Sequence, residues 1–73
     1  MQVDQIRFRY TENRTVVHAL QIEVDYSVLV VGDPDNAAYE WVIVKEGHVV
    51  QHSNDAYGMW VSALRDGLAA YLG

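Results

Sequence analysis

Tyr39-Glu40-Trp41-Val42-Ile43-Val44-Lys45-Glu46-Gly47-His48-Val49-Val50-Gln51-His52 places two apolar runs on either side of a Glu-Gly pair. Gly47 can supply the positive φ that a tight hairpin turn requires. The stretch therefore reads as a strand over 39–45, a turn, and a strand over 48–52. Downstream the period changes. Trp60, Ala63/Leu64, Gly67/Leu68 and Tyr71/Leu72 recur at three-and-four spacing, which is the stripe of an amphipathic helix. Strands followed by such a helix give an α+β fold.

The helix is expected to begin between residues 56 and 59 and to end near 71. Ser53, Asn54 and Asp55 are candidate caps, with Gly58 as another. Trp60 and Leu64 are expected as buried anchors against the sheet. Gly67 costs a helix about 1 kcal/mol relative to alanine, so a close helix–sheet approach is expected there. Toward the N-terminus, residues 26–31 are apolar on both faces, with Val28 and Val30 on one side and Leu29 and Val31 on the other, as in a strand covered twice. Gly32-Asp33-Pro34-Asp35-Asn36 interrupts it with turn-forming residues, and residues 32–38 read as an exposed loop tolerant of change. Val16, His18, Leu20, Ile22 and Val24 define one face of a further strand and Val17, Ala19, Gln21, Glu23 and Asp25 the other. Ile6, Phe8 and Tyr10 alternate with Arg7 and Arg9 over a first strand, 3–10, ahead of a polar break at 11–14. The whole reads as one domain, residues 1–73: an antiparallel β-meander of about five strands packed by one C-terminal α-helix.

A chain of 73 residues without cysteine has neither disulfides nor thiolate metal sites to support a small core. A hydrophobic fraction of 51% favours a dense core or a subunit interface. The net charge of −5 is uneven. Residues 1–14 carry Arg7, Arg9 and Arg14 against Asp4 and Glu12, whereas the remainder sets Lys45 and Arg65 against eight carboxylates. Nucleic-acid binding needs clustered cations, so this balance disfavours it, and the N-terminal arginines read as a solvated strand face. No basic leader precedes an apolar run and no run approaches a membrane span, so a cytoplasmic protein without membrane association is expected.

No constellation assembles a catalytic, cofactor or metal site. His48 and His52, four residues apart on an extended segment, lie about 13 Å from one another, too far to share a metal. His18 reads as a core-edge histidine. His52, Ser53 and Asp55 contain the residue types of a hydrolase triad, but adjacent strand residues point to opposite faces. Asp33 and Asp35 sit in a turn without an apolar pocket to raise a carboxyl pKa. Gly58 stands alone before the helix, so no phosphate loop is present. The chain is therefore expected not to be an enzyme. Among the aromatics, Trp41 and Trp60 fall where strand and helix faces meet. Tyr39 and Tyr57, beside loops, are the better surface candidates.

The strand at 26–31, the Tyr39-x-Trp41 spacing, Gly47-His48-Val49-Val50, Ser53, Tyr57 and Ala63-Leu64 together resemble the small YegP-like bacterial domains of unknown function. The resemblance covers residues 26–72. It departs at Gly58, where that family tends to have a hydroxyl cap, and in the additional antiparallel hairpin expected from the strands at 3–10 and 16–25. It implies the fold and no activity. HicB-like antitoxin domains share a related order of strands and helix.

The functional expectation is a small acidic protein–protein interaction module. It would act as a homodimer, or as a subunit, antitoxin or inhibitor covering a basic site on a larger partner. A sheet of about five strands is about 20–24 Å wide, whereas a helix is about 10–12 Å across, so apolar sheet surface should be left over. Val28, Val30, Val42 and Val44, with Tyr39 and Tyr57, are the candidate interface. The alternative is a small-ligand binder or minor enzyme using His18 and the loop tyrosines. Nucleic-acid binding through the arginines ranks last.

Overall fold

A computed structural model describes residues 15–73. Four strands, β1 (Thr15–Gln21), β2 (Tyr26–Asp33), β3 (Ala38–Lys45) and β4 (His48–His52), precede one helix, α1 (Trp60–Leu72). They form an antiparallel sheet in the order β1-β2-β3-β4. This is the expected α+β meander, with four strands among the described residues instead of about five. The expected strand 3–10 and the N-terminal arginines lie outside the described residues.

The β3–β4 hairpin follows from its turn. Glu46 and Gly47 have φ of 53° and 82°, and two consecutive positive φ values give the turn twist that suits a hairpin. Residues 16–25, by contrast, do not form one continuous strand. β1 ends at Gln21 and the chain reverses through Ile22–Asp25, closed by Ile22 N–H donating to the Tyr26 carbonyl at 2.9 Å. The Gln21 amide donates to the Glu23 and Val24 carbonyls at 3.2 and 3.1 Å, which satisfies the turn from its own side chain. Val24 stands 94% exposed at the tip. Apolar alternation across this turn hides it from sequence.

The two outer strands of this sheet each carry an irregularity. The β1–β2 register shifts between Val16 and His18, making Val17 the extra residue. Val16 accordingly packs with Leu29 and Val31, while His18 points to the helix side, where it meets Trp60. The expected common face of Val16 and His18 is therefore corrected by the bulge. A second shift, between Ile43 and Val44, leaves Val50 unpaired on β4. The β2–β3 register runs unbroken from Tyr26↔Lys45 to Asp33↔Ala38.

Both faces of the central strands are buried, as the apolar pattern of residues 26–31 predicts. Val28, Trp41 and Ile43 form one cluster with Ile22, Tyr26, Tyr57, Leu64, Leu68, Ala70 and Tyr71, beneath α1. Leu29, Val31, Val42 and Val44 form the other, on the opposite face, with Val16 and Val49 packed against it. Gly67 is the closest approach of the helix: a Cβ there would stand 2.9 Å from Trp41 Cβ and 3.0 Å from Val28 Cγ1.

Two helix expectations are corrected. α1 begins at Trp60, and Met59 takes the N-cap position with extended backbone but no side-chain cap bond. Ser53 caps nothing. It is buried at the outer edge of β3, where its N–H donates to the Trp41 carbonyl at 2.9 Å and its Oγ accepts from the Trp41 N–H at 3.3 Å. Trp60 is the second correction. It is 37% exposed instead of buried, because it lies at the helix end over β1, the outer strand of the described sheet, while Leu64 is half-buried against the core.

After Ser53 the chain bows outward and returns at Tyr57, which exchanges backbone hydrogen bonds of 2.9 and 2.7 Å with Tyr39. Between β2 and β3, Pro34–Asn36 forms a short 3-10 turn capped by Asp33, whose carboxylate accepts from Asp35 N–H at 3.1 Å. The loop is polar and exposed, but Gly32 is not free to vary. A Cβ there would lie 2.4 Å from the Ala38 carbonyl oxygen and 2.8 Å from the Tyr39 ring.

Candidate functional site

The six candidate interface residues separate into two groups. Val28, Val30, Val42 and Val44 are all 0% exposed, their side chains taken up within the chain. The apolar sheet surface expected to remain uncovered is absent at these positions. Tyr39 and Tyr57 are half-buried and paired with each other. Tyr57 also reaches α1, where its hydroxyl donates to Asp66 at 2.8 Å. That bond holds the phenol above the ordinary tyrosine pKa, burial adds to the effect, and a hydrogen bond with the Trp41 side chain opposes it. Arg65 lies beside the same carboxylate at 3.4 Å, on an exposed surface. The geometry makes this a strut between the outer edge of β3 and the helix.

His18 is not brought to these tyrosines. It pairs with Val30, which in turn pairs with Trp41, so β2 separates it from β3, and its ring stacks on Trp60 at 5.1 Å with a 31° tilt. His48 and His52 occupy opposite ends of β4. His52 Nδ1 lies 2.9 Å from the Ser53 carbonyl oxygen, and Ser53 Oγ is engaged by the Trp41 backbone, so these residues build edge structure and not a nucleophile with its base. Among the described residues no group of three or more His, Asp or Glu side chains is placed to hold a metal ion, and no helix is long and apolar enough to cross a membrane.

Two surface features remain, one at each end of α1. At its start, Met59, Trp60 and Val61 are exposed by 64%, 37% and 51%, and Trp60 meets His18 on β1, the strand that also carries the exposed Leu20. At its end, a groove of about 570 Å³ opens between the helix and β4. Its lining includes Ile43, Gln51, Ala70, Tyr26, Tyr71 and Glu23. The Tyr26 and Tyr71 rings meet edge to face at 5.4 Å, and the Tyr71 hydroxyl donates to the Glu23 carboxylate. That hydrogen bond pushes the Tyr71 pKa up to about 12, with burial and the charge of Glu23 acting in the same direction. Lys45, paired with Tyr26 across the β2–β3 ladder, holds its Nζ 5.2 Å from the Tyr26 ring centre.

Sequence reasoning missed the groove. Glu23 and Tyr71 are 48 residues apart, and only the unforeseen turn after Gln21 brings the carboxylate under the helix end. The single available signal was the tyrosine on the helix stripe beside Leu72. Compared with known proteins, the chain matches no family model, no curated protein and no solved structure.

Proposed function

We propose that the chain is a small acidic interaction module, not an enzyme, which docks on another protein surface as a homodimer or as a subunit, antitoxin or inhibitor of a larger partner. The observation that carries this reading is the cluster at the start of α1. Met59, Trp60 and Val61 expose apolar side chains in succession, with His18 and Leu20 alongside. Large apolar side chains gathered exposed at one end of a helix are uncommon on a small domain unless a partner covers them, and tryptophan and methionine are enriched at such surfaces. The interface thus moves from the sheet valines to the helix start. Lys45 and Arg65 against eight carboxylates in residues 15–73 favour a partner whose contact surface is basic.

The homodimer is the form to test first. Light scattering after gel filtration at micromolar concentration is expected to give twice the chain mass. Trp60→Asp is expected to reduce it to one chain mass with circular dichroism unchanged. If wild type is monomeric and Trp60→Asp also leaves binding to basic protein surfaces unchanged, the helix start is not an interface and the reading fails.

A further inference from the structure

The groove at the end of α1 has a chemistry distinct from the apolar cluster at its start, and we propose that it is a site for the guanidinium group of an arginine side chain presented by a partner protein. Its volume of about 570 Å³ lies within the range usual for ligand sites. Val50, Ala70 and Leu72 offer apolar surface along which the methylene stem of a long cationic side chain can lie. Glu23 supplies the charge. A carboxylate accepts at about four lone-pair positions, and Tyr71 uses one of them, so the same hydroxyl bond that orients Glu23 leaves it able to receive a guanidinium fork. Gln51 adds an amide oxygen on the β4 side.

The tyrosine wall points to the same ligand. The chain's own Lys45 ammonium lies 5.2 Å from the Tyr26 ring centre, so this ring accepts a cation, and an incoming guanidinium takes that place only as the Lys45 side chain swings aside into solvent. The Glu46 N–H donates to the Asp25 carbonyl at 2.9 Å, which brings two further acidic residues to the same end of the sheet as Glu23. An anionic ligand is disfavoured by this surround, and an apolar one brings no charge to pair with Glu23. Arginine fits better than lysine because its planar head can both stack on a tyrosine and pair bidentately with a carboxylate.

The test is an NMR titration of the 15N-labelled protein with acetyl-Gly-Arg-Gly-amide and with the same peptide carrying citrulline, which keeps the shape of arginine without its charge. The arginine peptide is expected to give saturable shifts at Tyr26, Gln51 and Tyr71. The citrulline peptide is expected to bind about tenfold more weakly or worse, the loss that follows from removing one charge-assisted pairing. Glu23→Gln, whose amide oxygen can still accept from Tyr71, is expected to lose the same factor while the rest of its spectrum stays wild type. Ala70→Leu, which narrows the groove without touching any charge, is expected to abolish the shifts. Equal affinity for the two peptides overturns the inference. So do arginine-induced shifts that fall on residues 33–36 and persist in Glu23→Gln, since these report diffuse attraction to acidic surface. The Trp60→Asp variant should bind the arginine peptide as wild type does, so failure of the groove and failure of the helix-start interface are separable.

Discussion

Gly67 shows how much one hydrogen atom can decide. Alanine would improve helix propensity by about 1 kcal/mol, but its Cβ would stand 2.9 Å from Trp41 Cβ and 3.0 Å from Val28 Cγ1. Forcing extra volume into a packed seam costs about 1–3 kcal/mol. Gly67→Ala is therefore expected to be destabilising, read as a lower urea midpoint; a higher midpoint would mean that the helix can rise off Trp41 freely. Tyr71 offers a second check. Its folded pKa of about 12 lies above the ordinary 10.0, so the stabilising bond to Glu23 is fully present below about pH 10 and fades as pH rises through 12. Alkaline absorbance should show the last-ionising tyrosine near pH 12, and Tyr71→Phe should remove that step. A titration in which every tyrosine ionises near pH 10 rules the bond out. Gly67 and Gly47 were legible in the sequence because a glycine inside a stripe or between strands has few physical explanations. Ser53 was not. Its hydroxyl replaces a ladder partner for Trp41 only because the chain bows away at that point, and no local pattern encodes such a detour.

Among the elements, β2, β3, β4 and α1 could be read from periodicity, since each is bounded by a change of period or by a glycine or proline. β1 could only be read in part. Apolar alternation runs unbroken from Val16 through Val24, so neither the bulge at Val17 nor the turn after Gln21 announces itself. The helix start was also misplaced, because Ser53 and Asp55 look like caps and Met59 does not. Met59 holds φ −130° and ψ 135° with no side-chain bond to the first turn, and it is 64% exposed. An N-cap oxygen is worth about 0.5–2 kcal/mol. Met59→Asp is accordingly expected to raise the melting temperature, which thermal unfolding followed by circular dichroism will read directly. No increase would place the true start of α1 elsewhere.

For the molecule as a whole, the two clusters above and below β2 and β3 determine what a charged substitution does. Val42 is 0% exposed on the face away from α1. Val42→Asp would bury a carboxylate without a partner, a cost of several kcal/mol that is comparable with the entire stability of a small domain. The expected outcome is an unfolded chain by circular dichroism, not a folded monomer. Trp60→Asp changes an exposed position and should leave the fold intact. A folded Val42→Asp protein would show that the second face is open to solvent after all. The sequence carried the apolar pattern on both faces of β2 and β3, but that pattern fits a partner's surface as well as the chain's own core, and the four valines read from it as interface are 0% exposed. It could not show which apolar residues stay outside, since that depends on where the helix ends fall across the sheet.

The positions of the two bulges have a consequence for how copies of this chain can meet. Val17 and Val50 interrupt the outer strands of the described sheet, whereas the inner pair keeps an unbroken register. β4 is only five residues long, and beyond it Ser53 and Tyr57 occupy the remaining outer hydrogen-bonding groups of β3. A short, kinked border is a poor template for an incoming strand, the step by which sheets extend into fibrils. Association through side chains at the ends of α1, as proposed above, would leave this border unused, and deleting Val50 to straighten β4 is expected to make the chain more prone to open-ended stacking.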